Sequence, residues 1–227
     1  MESGTTETPT ILPRLPQSLA TQLFASATPH HVGAGQALFV SGGPGDGCYR
    51  LEQGLLKVVV ASPRGDERIL AILGPGSIAG ELALIDGRPR SASVAAIRDC
   101  ELRFVSRTAF EECMGQHPEI YRYLVNVLAA RLRETDEALA AANFLTVEER
   151  LARALLDLAQ YFRGHEQAEQ IVIDHKMTQN DLAAMAGIAR ENVSRVLSDW
   201  KELKIVTRSA GFYRVHDLAA LRRKAGA

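Results

Sequence analysis

Between about His30 and Val105 the chain carries short apolar or alternating runs. They fall at Ala37 to Val40, Cys48 to Leu51, Leu55 to Ala61, Glu67 to Leu73, Ser93 to Ile97 and Cys100 to Val105, with glycines at Gly33, Gly42 to Gly47, Gly54, Gly65 and Gly76 between them. Runs this short, punctuated by turn residues at roughly eight- to twelve-residue spacing, predict a β-barrel or jelly roll. After Val105 the period changes. A charged segment around Arg107 to Met114 predicts a short helix. Pro118 to Ala142 then carries apolar residues at Ile120, Leu124, Val127, Leu128, Leu132, Leu139 and Ala142, the spacing of one long helix with a narrow apolar seam. A helix of about 25 residues spans roughly 37 Å, more than a small barrel covers, which favours pairing of two such helices over packing on the chain's own barrel.

Thr146-Val147-Glu148-Glu149 places a hydroxyl three residues ahead of a glutamate, a capping box that starts a fresh helix to about Phe162. One helix ending and another beginning near Asn143 to Thr146 predicts a domain boundary there. The organisation expected is a flexible N-terminus over 1–16, a barrel domain over 17–117, a dimerisation helix over 118–143 and a second domain over 144–227. In that second domain Thr178 and Asp181 cap a helix whose apolar side is Leu182, Ala183 and Met185, and Gly187 supplies a permissive turn. Ile188 packs inward, and Arg190 to Leu203 forms another helix with Val193, Val196, Leu197 and Trp200 on one face. Arg190, Glu191, Asn192 and Arg195 point elsewhere. This is a helix-turn-helix, and its polar leading turn suits the DNA major groove, where arginine is bidentate to guanine and glutamate accepts from cytosine. Val206 to Val215, with Gly211 between two apolar runs, reads as a hairpin wing.

The 227 residues carry a formal net charge of −1, so no global field advertises a partner. From Lys176 onward, however, ten Lys and Arg stand against five acids, the local excess expected where a polyanion docks. Three cysteines, Cys48, Cys100 and Cys113, lie far apart with no C-x-x-C pair, which argues against a disulfide framework and against a zinc or iron–sulfur site. His30 and His31 are adjacent, so on a strand they face opposite sides and cannot share one metal ion. No nucleophile, base and orienting residue group together, so no enzyme is expected. Nothing approaches the ~18 apolar residues of a membrane span, and Met1 to Pro16 lacks an apolar core, so a cytoplasmic protein is expected.

The most specific stretch is Gly80 to Ala92, which reads G-E-L-A-L-I-D-G-R-P-R-S-A. A glycine-opened helical turn presents backbone N–H groups, and Arg90 adds the forked cation that a phosphodiester accepts. This stretch resembles the phosphate-binding cassette of cyclic-nucleotide-binding domains. From about Ala34 to about Val215 the chain resembles the bacterial cyclic-AMP receptor protein and FNR family of transcription regulators. The resemblance implies an α+β architecture: a cyclic-nucleotide-binding jelly-roll barrel, a long dimerisation helix and a C-terminal winged helix-turn-helix. It implies that Gly80 and Leu82 offer N–H groups, that Arg90 and Ser91 hold the cyclic phosphate, and that Glu81 accepts from the ribose 2′-hydroxyl. Thr135 falls where the base is touched from across the dimer, and Arg131, one turn earlier, can pair with Glu81. Asp136 replaces the serine of the best-known members. Ser91 can also reach the 2-amino group of a syn guanine, so cyclic AMP and cyclic GMP both stay open.

Arg190, Glu191 and Arg195 match the family's R-E-x-x-x-R pattern, which implies a two-fold DNA site with TGTGA-like half-sites; Thr178, Gln179, Asn180 and Asn192 are then phosphate contacts. Ala189 stands where the pattern has serine and gives up a helix cap worth about 0.5 to 2 kcal/mol. The function implied is a ligand-gated, allosteric homodimer that binds double-stranded DNA and works with RNA polymerase. A regulator of the same fold that binds DNA constitutively, or answers another effector, is the alternative.

Overall fold

The structure, a computed structural model, describes residues 17–161, 171–173 and 175–226. These divide into two units, one through Thr135 and the other from Asp136. In the first, α1 (Gln17–Leu23) leads into β1 (Thr28–Val32), β2 (Ala37–Phe39), β3 (Gly47–Ala61), β4 (Glu67–Leu73), β5 (Ile78–Ala79), α2 (Glu81–Asp86), β6 (Ser93–Ser106) and α3 (Arg107–Gln116). The strands form one six-stranded sheet of path β1-β6-β3-β4, with β2 paired to β6 and β5 to β3, antiparallel throughout. The path ends at β1 and β4 without closing, so the sheet is jelly-roll-like and not a closed barrel.

Two expected turns are absent. The runs at Cys48 to Leu51 and Leu55 to Ala61 are one strand, β3, and those at Ser93 to Ile97 and Cys100 to Val105 are another, β6. Their register runs from Gly47 opposite Ser106 to Val59 opposite Ser93 and slips between Leu51 and Leu56. Gly54 sits in that slip at φ 97°, and a Cβ there would collide with the Asp99 carbonyl and with Cys100. A glycine in an apolar run has therefore marked a bulge and close strand approach, where the sequence suggested a turn.

Alternate residues of these strands build the core. Leu51, Leu56, Leu73, Val94, Ala96, Cys100 and Leu102 form one cluster. Leu23, Cys48, Ile78, Leu84, Val105 and Phe110 form a second, into which the next helix, α4 (Glu119–Phe144), sends Ile120 and Leu124. Val127 joins the first cluster. The single seam expected along α4 is thus corrected to two faces. Ile120, Leu124 and Val127 pack on the chain's own sheet, whereas Val125, Leu132 and Leu139 stay 61%, 61% and 62% exposed. At about 100° per residue the two sets cannot share one stripe.

The second unit contains α5 (Val147–Tyr161), β7 (Ile171–Ile173), α6 (Gln179–Ala186), α7 (Arg190–Glu202), β8 (Val206–Ser209), β9 (Phe212–Val215) and α8 (Leu218–Lys224). Strands pair in the order β7-β9-β8. Neither β7, α8 nor α1 was visible in the periodicity, and the expected end of α5 at Phe162 lies outside the described residues. Both capping boxes form: Thr146 Oγ1 accepts from the Glu149 N–H at 3.2 Å, and Thr178 Oγ1 from the Asp181 N–H at 3.1 Å. Leu151, Leu155 and Leu158 of α5 are buried with Trp200 of α7. Trp200 donates its indole N–H to Glu148 Oε1 at 2.9 Å, and Lys224 of α8 reaches the same oxygen at 2.8 Å, so one carboxylate ties three helices.

Hydrogen bonds from Lys224 and then Trp200 hold the Glu148 carboxyl below its usual range. A folded value below the unfolded one, near 4.3, means that this contribution is present at neutral pH and is lost as pH falls below about 4. Glu148→Ala leaves a buried indole N–H unpaired and is expected to cost about 1–3 kcal/mol in urea unfolding, with a flatter acid limb in the stability profile. An unchanged midpoint would remove Glu148 from the account of how this unit is held.

Candidate functional site

In the first unit Gly80 precedes α2 at φ 90°, a left-handed geometry costly for any residue with a Cβ. A Cβ there would also strike Arg90 Nη1, so the glycine makes room for the guanidinium. Arg90 is only 4% exposed. Its Nη1 donates to the Gly80 carbonyl and its Nη2 to Asp46 Oδ1, both at 2.8 Å, while Phe39 covers its face with the ring centroid 4.3 Å away. Next to Gly80, Glu81 is 1% exposed and paired with Arg131 of α4, whose Nη2 also donates to the Ile78 carbonyl at 3.0 Å. Within this cluster, Arg90 Nε and Glu81 Oε2 are buried with no hydrogen-bond partner among the described residues.

The structure therefore brings Gly80, Glu81, Arg90 and Arg131 together. Leu82 is half-buried on α2 and Ser91 is exposed beside Arg90. The Thr135 hydroxyl donates to the Arg131 carbonyl at 2.8 Å, and Asp136 is exposed on α4. Sequence reasoning missed Asp46 and Phe39. Asp46 was hidden in the glycine-rich run 42–47, where an acid reads as a turn residue, and Phe39 read as an ordinary strand position.

In the second unit the turn of the helix pair is fixed by Arg150 of α5, which donates to the Gly187 carbonyl at 3.1 Å. Val193, Val196, Leu197 and Trp200 are buried, leaving Arg190, Glu191 and Arg195 exposed and Asn192 half-buried on the other side of α7. Arg195 Nη2 donates to Asn192 Oδ1 at 3.0 Å, which orients both. Thr178 spends its hydroxyl on the cap of α6; Gln179 and Asn180 follow it in the first turn. Ala186 is buried where Met185 was expected, and Met185 is half-buried. β8 and β9 form the wing, and Arg208 on β8 donates to the Met177 carbonyl at 3.3 Å.

A jelly-roll sheet with a buried arginine beside a glycine-opened turn, followed by a winged helix-turn-helix, defines a DNA-binding transcription regulator with a cyclic-nucleotide-binding domain. Residues 29–117 match the cyclic nucleotide-binding domain family, and residues 149–224 match the Crp-like helix-turn-helix domain family. The chain belongs to the CRP/FNR family of transcription regulators. It is 36% identical over 166 residues to the CRP-like cAMP-activated global transcriptional regulator of Mycobacterium tuberculosis, covering 73% of this chain and 74% of that protein. To the cyclic AMP receptor protein of Thermus thermophilus it is 35% identical over 187 residues, covering 82% and 83%. A solved CRP/FNR-family transcriptional regulator from Thermus thermophilus superposes with a TM-score of 0.76 at 26% identity, covering 88% of this chain and 99% of that one. Members of this family are transcription regulators and not enzymes. Among the described residues no helix is long and apolar enough to cross a membrane.

Ala189 occupies the N-cap of α7 in extended geometry with no side-chain cap. Ala189→Ser restores an acceptor for the first turn and is expected to raise stability by about 0.5–1 kcal/mol in urea unfolding. A loss of stability would show that the N-cap geometry is wrong.

Proposed function

We propose that this protein is a cytoplasmic homodimeric regulator, gated by cyclic AMP or by cyclic GMP, that reads a two-fold DNA site with TGTGA-like half-sites. The observation that carries this reading is the pair of unpartnered buried atoms, Arg90 Nε and Glu81 Oε2, on either side of Gly80. Buried charged groups leave such atoms open only at a cost, and a ligand that brings an anion and a hydroxyl to the same cradle relieves it. A cyclic ribose phosphate carries both. Its phosphate suits Arg90, Ser91 and the N–H groups of Gly80 and Leu82; its 2′-hydroxyl suits Glu81.

The dimer is supported by the outward face of α4. Tyr121, Val125, Leu128, Leu132, Thr135 and Leu139 alternate four- and three-residue steps, a heptad pattern, and all but the half-buried Leu128 are exposed. Thr135 lies within that seam, so a partner helix there carries its own Thr135 toward a nucleotide. Asp136 follows it, and its carboxylate bears on the choice between adenine and guanine. Gating requires the ligand to prefer the DNA-competent form. A swing from 1:99 to 99:1 takes about 5.5 kcal/mol, under ~3 for each of two sites, the order of one charge-assisted phosphate pair. On α7, Arg190, Glu191 and Arg195 read bases; Gln179, Asn180 and Asn192 hold the DNA phosphates, whereas Thr178, expected among them, gives both its hydroxyl and its N–H to Asp181 and serves as the cap of α6.

Calorimetry with cyclic AMP and cyclic GMP is expected to show binding that falls at least about tenfold in Arg90→Ala, with a melting curve recorded to confirm folding. Equal binding by the variant would remove the cradle reading. On a TGTGA-N6-TCACA duplex, nucleotide is expected to tighten a mobility shift, and Arg190→Ala to lose about 1–3 kcal/mol at one base position. A shift indifferent to nucleotide identifies a constitutive or otherwise gated regulator instead. Sedimentation is expected to give a dimer at micromolar concentration and a monomer for Leu132→Glu; a wild-type monomer rules the dimer out.

A further inference from the structure

We propose that Arg107 is a positioning residue for the nucleotide pocket, a strut outside it that holds the 43–47 loop against α2 and so keeps Asp46 on Arg90. The inference rests on the nucleotide reading above and extends it to a residue that touches none of the proposed ligand-binding groups. Arg107 opens α3 directly after β6. Its backbone N–H donates to the Asp46 carbonyl at 2.8 Å. Its Nη2 donates to two carbonyls on opposite sides, Gly45 of the loop and Ala83 of α2, both at 2.8 Å. Nη1 reaches the Leu84 carbonyl and Glu111 Oε1, each at the longer distance of 3.5 Å.

These bonds close a ring. Arg107 holds the successive carbonyls of Gly45 and Asp46; the Asp46 carboxylate holds Arg90; Arg90 holds the Gly80 carbonyl; Gly80 leads into α2, which carries Ala83; and Ala83 returns to Arg107. The ring has little slack, since a Cβ on Gly45 would lie 2.5 Å from that of Ala83 and 3.3 Å from Arg107 Nη2. Ala83 and Leu84 lie in the last turn of a short helix, at its negative pole, so a cation suits their carbonyls; that of Ala83 accepts from the Gly87 N–H as well as from Arg107. A planar fork can serve two carbonyls at once, whereas an ammonium is a point charge on a flexible stem. Arg107 therefore sets the separation between the helix that presents N–H groups to a phosphate and the acid that orients the phosphate-binding arginine.

The test uses the full-length protein and two readouts. In ligand-free protein, hydrogen exchange over 42–47 and 81–87 is expected to quicken about tenfold in Arg107→Gln, and less in Arg107→Lys, which keeps the charge and guards against simple misfolding. Unchanged exchange in both overturns the strut. By calorimetry with cyclic AMP, Arg107→Gln is expected to bind about tenfold more weakly, and this loss is expected to shrink when Asp46→Ala is already present, because the two act in one chain. An equal loss in both backgrounds assigns Arg107 a merely structural role and overturns the proposal. Wild type that binds neither nucleotide overturns the function above, while the exchange measurement still decides the strut.

Discussion

A guanidinium that is 4% exposed has given up most of its water, so the protein must place compensating groups around it. Arg90 imposes that requirement on the three segments around it. The residue before α2 has to lack a side chain, the glycine-rich loop has to approach closely enough for Asp46 to reach the cation, and β2 has to bring Phe39 over its face. The long strands β3 and β6 supply the rigid floor against which these pieces are set. A charge buried in this way is poor as a stabiliser and good as a register mark: few arrangements of loop, helix and strand satisfy it.

α4 joins that site to a surface. Its first three turns are sheet-facing, with Ile120, Leu124 and Val127 in the two core clusters, which fixes the rotation of the helix about its axis. With the rotation fixed, Arg131 meets Glu81, and Thr135, one turn on and about 40° further round the helix, is exposed to solvent. Packing on one face thus decides which residues the other face offers.

The second unit solves a related problem with exposed pairs. The recognition helix must keep its polar face free, so it is anchored from behind by Trp200 and from its end by the Glu148 contact shared with α8. Glu148 sits in the first turn of α5, where a carboxylate is also favoured by the helix dipole. Arg150, two residues later, secures the turn between the helices through Gly187. One short segment of α5 therefore positions both helices of the pair.

Much of this was legible along the chain, because local rules acted alone. The hydroxyl and acid spacings at Thr146 and Thr178 became capping boxes, the glycine-opened turn at Gly80 became α2, and the apolar face of α7 is the buried one. Each involves residues within a turn or two of one another. The misreadings share the opposite property. Gly54 looked like a turn because what makes it a glycine is the Asp99 backbone on another strand; Asp46, Phe39 and Arg107 looked ordinary because their partners lie tens of residues away. β7, only three residues long, needed β9 to exist. The sequence by itself determined the longer helices, their caps and the order of a strand-rich segment before a helix-turn-helix. Only the tertiary structure decided where strands continue, which face of α4 is core and what encloses Arg90, since sheet register and burial of a charge are settled by partners distant in the chain.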